Sequence, residues 1–275
     1  MGYFDLDIPI NDTLVNDLVN PKKPSAESLI KHLVNHTSGL VDEDDMYLES
    51  YYILAGENTA SASSQLLQDF GIVQRTPKTL SELINSYYYD GGYYYSWDNF
   101  DDTNPGEVES YTNVGDSLMA FLIETASGLS YQNFVETHIF NPLNMNNTSF
   151  EYSLPNDNYA ILYYDENIPL PFYGLESFAD GGLKTSNEDL MKYMLNMIAG
   201  QRGETNTLFS ESYYDLLFTE TSATYSVFWD VDPGNNAYGH NGGDPGTTTD
   251  FHFSGPGNAG FFLLSNYDAS TDEHE

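Results

Sequence analysis

Apolar residues recur at helical spacing through the middle of the chain, then alternate or run together near its end. Residues 1–24 are rich in turn residues and close on Pro21-Lys22-Lys23-Pro24, which predicts an extended entry. Ser25 reads as an N-cap, and the helix after it carries Leu29, Ile30, Leu33 and Val34 on one face and ends near Gly39. Residues 61–89 read as helical with a break at Thr76-Pro77. In Tyr87-Tyr88-Tyr89-Asp90-Gly91-Gly92-Tyr93-Tyr94-Tyr95 the glycine pair predicts a turn between two aromatic arms, whose commonest use is loop packing.

The strongest helical period is at residues 114–127, where Val114, Leu118, Phe121, Leu122 and Thr125 share a face and Gly128 is the C-terminal cap. A second helix starts at Ser130 and stops at Asn141-Pro142. After Gly181-Gly182, Ser186 and Asp189 form an Asp variant of the capping box. The period then changes to two. Tyr225, Val227, Trp229 and Val231 alternate, as do Phe251 and Phe253, and the continuous apolar run at 259–265 reads as a buried strand. The pattern is a helical middle with a sheet-forming end.

Charge removes whole classes of function. The chain has 275 residues, with 8 Lys plus Arg against 42 Asp plus Glu, a formal net charge of −34. A nucleic-acid module needs a basic stripe to displace phosphate counterions, and an anionic membrane surface needs the same. Apolar residues at 40% and aromatics at 15% supply enough core to argue against disorder. No run of 18 apolar residues exists, so no membrane span is expected. Nor does the start, Met1-Gly2-Tyr3-Phe4-Asp5-Leu6-Asp7, read as a signal peptide. With no cysteine there is no disulfide, thiolate metal site or thiol nucleophile. Acidity, abundant Tyr and Asn, and sequons at Asn11, Asn35, Asn146 and Asn147 point to an extracellular or periplasmic setting. The loop from Asp98 to Gly106 lacks the glycine at position 6 that a calcium loop of the EF-hand type needs.

Five segments then line up in one order. They are Leu33-Val34-Asn35-His36-Thr37-Ser38-Gly39-Leu40; Pro105-Gly106 with Tyr111-Thr112-Asn113; Ile139-Phe140-Asn141-Pro142-Leu143-Asn144-Met145; Gly181-Gly182-Leu183 with Asp189-Leu190; and Tyr238-Gly239-His240-Asn241-Gly242-Gly243. Together they resemble the serine β-lactamase and penicillin-binding-protein family, in the branch of class C enzymes, D-alanyl-D-alanine peptidases and related esterases. The resemblance implies one α/β (α+β) domain over 1–275. An antiparallel sheet with flanking helices would come from 1–24 and 178–275, and a mostly helical part from 25–177. It also implies acyl transfer on a peptide, ester or β-lactam through a serine ester. Tyr111 would be the general base and acid, Asn113 would hold the substrate amide, and His240 would stand where many relatives have Lys. The backbone N–H of Gly243 would be half of the oxyanion hole. All four would line one cleft. No metal or organic cofactor is implied. His36 reads as a structural helix-end residue, and His32, His138, His252 and His274 as structural or exposed.

The nucleophile is where the chain departs from the family. In relatives a Ser-x-x-Lys segment precedes a stretch that Gly2-Tyr3-Phe4-Asp5-Leu6-Asp7-Ile8-Pro9-Ile10 resembles. The expectation is therefore a chain that lacks the serine helix, the first sheet strands and the C-terminal helix beyond Asp272-Glu273-His274-Glu275. Ser28-Leu29-Ile30-Lys31 fits the string, but Ser28 is expected three residues into a helix, facing water, as a chance match. Two functions follow: a serine hydrolase domain inactive as this chain, or a non-catalytic structural or binding unit that reuses the fold. Either leaves an open sheet edge for another segment or chain to cover.

Overall fold

The computed structural model describes residues 5–43, 47–152, 158–205, 208–222 and 224–267. Of the acidic loop that the sequence places at Asp42-Glu43-Asp44-Asp45, the first two residues are described, and the closing Asp272-Glu273-His274-Glu275 lies outside the described residues. The chain folds into two compact units. The first comprises residues 1–50, 77–137 and 175–182; the second comprises 51–76, 138–174 and 183–275.

The first unit is helical. Helix α1 spans Ile30–Val34. It starts later than the sequence predicts, because residues 8–10 pair with 28–30: Ile10 N–H donates to Ser28 O at 2.9 Å and Ile30 N–H to Ile8 O at 3.0 Å. That ladder holds Leu29 extended, with ψ 162°. In the second unit β1, Tyr51–Ile53, pairs in parallel with β2, Val73–Gln74, and α2, Ala62–Asp69, links them. The helical stretch expected over 61–89, with its break at Thr76-Pro77, is two helices with the short strand β2 between them.

Helix α3 in the first unit is Leu80–Tyr88, opened by a capping box in which Thr79 Oγ1 accepts from Glu82 N–H while Glu82 accepts from Thr79 N–H. After it the chain turns at Gly91, φ +83°, and Tyr87, Tyr88 and Tyr94 pack inside with Phe100. These three tyrosines are core, as loop packing requires, while Tyr93 is 70% exposed.

Helix α4, Asn113–Ser127, is the axis of the first unit. Its predicted face is buried through Val114, Leu118 and Leu122, and Gly128 closes it at φ +72°. Helix α5, Tyr131–Val135, starts at Ser130, whose side chain accepts from Asn133 N–H. The chain does not stop at Asn141-Pro142. It continues through a π turn, Glu136–Phe140, and a helical turn, Asn141–Leu143, because proline in a first turn gives up no hydrogen bond. Asn144, at φ 55°, ends it.

In the second unit β3, Tyr163–Asp165, pairs with β4, Ile168–Pro169, and β5, Tyr173–Leu175, lies beside β1. The short helix α6, Phe178–Gly181, belongs to the first unit. Helix α7, Asn187–Gln201, follows in the second. Its N-cap is Ser186, as predicted, but Asp189 does not reach back to close a box. Its buried carboxylate instead accepts from Asn147 N–H at 2.6 Å, Thr148 Oγ1 at 3.1 Å and Lys192 Nζ at 2.8 Å.

Helix α8, Glu211–Leu217, precedes a four-stranded antiparallel sheet in the order β6, Asp230–Asp232; β7, Ala237–Asp244; β8, Thr247–Ser254; β9, Ala259–Ser265. One face packs Tyr238 and Phe253 against Met194, Met197 and Ile198 of α7 and Tyr214 of α8. Among the described strands β9 pairs with β8 alone, and its apolar run is not buried: Phe261 is 57% and Leu263 54% exposed. Residues 8–10, expected to join a sheet at the chain's end, pair with 28–30 instead.

Candidate functional site

The head of α4 is built around one carboxylate. Asp42 accepts from Thr112 Oγ1 at 2.7 Å, Asn113 N–H at 2.5 Å, Val114 N–H at 3.0 Å and Asn113 Nδ2 at 2.9 Å. The first turn of a helix has orphan N–H groups and a positive dipole end, and an anion answers both. Thr112 adds its own cap, its Oγ1 accepting from Gly115 N–H at 3.1 Å. With its Nδ2 held by Asp42, Asn113 turns its Oδ1 to Tyr111, whose hydroxyl donates to it at 3.1 Å. Tyr111 is 41% exposed, so this hydroxyl is reachable from outside the unit.

Behind Tyr111 lies His36, fully buried and at φ 54°. Its ring packs on the Tyr111 ring at 4.5 Å between centroids. Its carbonyl accepts from Ser110 N–H at 2.7 Å, and its Nδ1 accepts from Thr112 N–H at 3.4 Å. Asp116, one turn into α4, has Oδ1 3.9 Å from that Nδ1. Burial, and then the neighbouring Asp42 charge, raise the Asp116 carboxyl well above the usual carboxylate range. Of two close acids, Asp42 has four donors, and Asp116 is the one whose ionised form burial disfavours.

His240 and Gly243 lie on β7 in the second unit. Tyr238, His240 and Gly242 face the same side, opposite Phe253, Phe251 and Thr249 of β8. Strand β6 pairs only with residues 237–239, so among the described strands His240 to Asp244 have a partner on one side alone. His240 Nδ1 faces the backbone carbonyl of Asn241. A side chain at Gly243 would meet nothing within 4 Å, which leaves its backbone open to close approach. The hairpin turn after β7 has Pro245 then Gly246 at φ +75°, the residues a type II turn requires. It is held by Tyr173, whose hydroxyl donates to Pro245 O at 2.8 Å, and by Tyr51, which donates to Asp244. Nearby Lys184 donates to Phe150 O at 3.0 Å and lies 4.5 Å from the centre of the Tyr152 ring. Burial pushes its amine down to about 8, against the pull of Asp244 and Glu151.

The structure thus joins Tyr111 to Asn113 by a hydrogen bond in the first unit, while His240 and Gly243 lie three residues apart on β7 in the second. Ser28 is corrected in its details. It precedes α1, is half-buried rather than exposed, and donates to Ser38 O at 3.0 Å, while Lys31 pairs with Asp7 at 2.7 Å. The two residues of the Ser-x-x-Lys string therefore have separate partners. Asp42, Asp116 and Lys184 were not singled out from the sequence. The signal for Asp42 was present in part, since an acid shortly after His-Thr-Ser-Gly can cap a helix, but which helix is a tertiary fact. Among the described residues no cluster of three or more acids and histidines is placed to hold a metal ion.

The helical unit and the antiparallel sheet backed by α7 define a mixed helix-and-sheet protein of β-lactamase-like fold. The chain belongs to the Beta-lactamase family, whose model matches residues 2–275. Penicillin-binding protein 4* of Bacillus subtilis is 30% identical over 128 residues, 46% of this chain and 22% of that protein. The octameric penicillin-binding protein homologue of Pyrococcus abyssi superposes with TM-score 0.72 at 25% identity, over 97% of this chain and 57% of its own. A class C beta-lactamase shares the fold at TM-score 0.63 and 16% identity, with 98% of this chain and 72% of that one covered. The chain thus spans under a quarter of the Bacillus relative and just over half of the Pyrococcus one.

Proposed function

We propose that this chain carries the proton-transfer and substrate-holding part of a serine hydrolase that transfers acyl groups on peptide, ester or β-lactam substrates. Tyr111 is the general base and acid, Asn113 takes the substrate amide, His240 serves as a proton donor, and Gly243 N–H completes an oxyanion hole. The observation that carries this reading is the Tyr111 hydroxyl on Asn113 Oδ1, at a helix head held by Asp42, in a chain matched end to end by the Beta-lactamase family. A phenol is a competent base only when its hydroxyl is aimed and its proton has somewhere to go. The nucleophile is not Ser28, whose hydroxyl donates to Ser38 O. The setting is extracellular or periplasmic, in keeping with the acidic composition. Among the described residues no helix is long and apolar enough to cross a membrane.

The test is covalent labelling. This chain alone, incubated with a serine-reactive phosphonate or a β-lactam, is expected to gain no mass. Adding the serine-bearing segment of a family member in trans is expected to give an adduct on that serine, and Tyr111→Phe to lose it. An adduct mapped to Ser28 overturns the assignment of the nucleophile.

A second reading, a non-catalytic binding or structural unit, is favoured by the outward Phe261 and Leu263 on β9. An unpaired apolar edge needs a covering segment or chain whether or not the unit is catalytic. No labelling under any combination would favour that reading.

A further inference from the structure

The contacts around Tyr111 come from a segment more than seventy residues earlier, and they converge from three directions. His36 O takes the N–H of the residue before Tyr111, at 2.7 Å. His36 Nδ1 takes the N–H of the residue after it, at 3.4 Å. The His36 ring packs on the Tyr111 ring at 4.5 Å between centroids, tilted by 42°. A tyrosine side chain has two main freedoms: rotation about χ1 and χ2, and displacement of its backbone. The two hydrogen bonds remove the second, and the ring contact limits the first.

The backbone of His36 explains how one residue reaches all three. A residue at φ 54° has turned into the left-handed region, which is unfavourable for a residue with a Cβ and persists where the surroundings enforce it. In an extended or right-handed conformation the carbonyl and the ring would leave in different directions from those seen. The left-handed turn presents both to residues 110–112. The opposite side is held by Asp42, which grips Asn113 through its backbone and side-chain nitrogens at 2.5 and 2.9 Å. The oxygen that receives the Tyr111 hydroxyl is therefore itself fixed.

We infer that His36 is a positioning residue for Tyr111, aiming its hydroxyl from behind while Asp42 fixes the Asn113 side. The inference rests on the reading of Tyr111 as the general base and adds what orients it. His36 touches no reacting atom. It sets the place from which the proton is taken, and a misplacement of about 1 Å at such a group costs on the order of 100-fold in rate.

The variant that separates ring from backbone is His36→Asn. Asparagine adopts the left-handed region more readily than other side chains with a Cβ, so the turn survives while the ring is lost. His36→Gly does the same with no side chain, and serves if the asparagine variant does not fold. The measurement is NMR of protein labelled at tyrosine Cζ, with the resonance of Tyr111 among 23 tyrosines assigned by Tyr111→Phe. The expected result is a displaced or broadened Tyr111 signal in both variants with the remaining signals in place, and its return in His36→Gly on adding imidazole. In the labelling reaction with the serine-bearing segment, the acylation rate constant is expected to fall on the order of 10- to 100-fold, with little change in the probe concentration for half saturation. A Tyr111 signal that is unmoved in both variants overturns the inference. Tyr111→Phe that labels like wild type overturns the catalytic reading instead and leaves the NMR result standing, so the two failures are told apart.

Discussion

At the scale of single residues, the acids at the head of α4 have opposite tasks. Asp42 replaces water for four donors, and hydrogen bonds to a charged group are each worth about 1.5–3 kcal/mol net. Asp42→Ala is expected to lower stability by about 2 kcal/mol or more, since the helix loses its cap and Asn113 its anchor, and to release Tyr111 from Asn113 Oδ1. Denaturant unfolding of the variant checks the first effect, and the Tyr111 Cζ signal the second. Asp116 behaves differently. Burial raises its folded-state value, so the folded chain binds a proton that the unfolded chain releases at its ordinary 3.8. Stability from this residue is complete below 3.8 and is lost as pH climbs through the raised value. Asp116→Asn imitates the protonated carboxyl. The variant is expected to gain on wild type as pH rises, seen as a melting-temperature difference that grows from acid toward neutral pH. A difference that shrinks over that range would show the carboxylate to be charged in the fold.

At the scale of elements, α7 and α8 are in contact through a position without a side chain. A Cβ placed on Gly200 would run into the Tyr214 ring, which is 1% exposed. Alanine improves helix propensity by about 1 kcal/mol at an unconstrained site. Here it must displace a packed aromatic, at a typical cost of about 1–3 kcal/mol. Gly200→Ala is expected to be destabilising on balance, with a lower urea midpoint at unchanged slope. A neutral or stabilising result would show that Tyr214 can move aside without loss. The same elements show why β9 departs from expectation. A continuous apolar run is buried when sheets or helices cover both faces and strands flank both edges. Among the described strands β9 has one neighbour, and its face away from α7 and α8 shows Phe261 and Leu263.

For the whole molecule the dominant fact is charge. A formal net charge of −34 over 275 residues sets like charges against one another in the compact state. Screening reaches ~30 Å at 0.01 M salt and ~3 Å at 1 M. Melting temperature is expected to rise with sodium chloride over that range, and a fall would show that attractive pairs outweigh the repulsion. The few ion pairs include Lys23 with Asp102 at 2.9 Å and Lys192 with Asp189 at 2.8 Å. Glycosylation is constrained at the same scale. The sequon at Asn35 lies in the interior at 5% exposure, so a glycan cannot be attached there in the folded chain.

The amino-acid sequence by itself determined what depends on neighbours in the chain. The α4 face with its Gly128 cap and the starts of helices at Ser130 and Ser186 follow from periods and caps spanning four residues, so they were legible without the fold. So was the family, whose motifs are local strings in a fixed order. Tertiary structure decided whatever required distant residues to meet. Strand-like pairing of residues 8–10 with 28–30 cut the predicted first helix short and drew Ser28 out of it, a contest between a local helical pattern and a remote ladder. Exposure of β9 was settled by which face of the sheet α7 and α8 cover, which its own hydrophobicity does not encode. The part of the site at Tyr111 is the sharpest case. Tyr111, Thr112 and Asn113 could be named from their motif, yet their geometry comes from His36 and Asp42, about seventy residues away. A backbone amide or a phenol shows in sequence only that it exists; where it points is set by hydrogen bonds to partners that folding alone brings near.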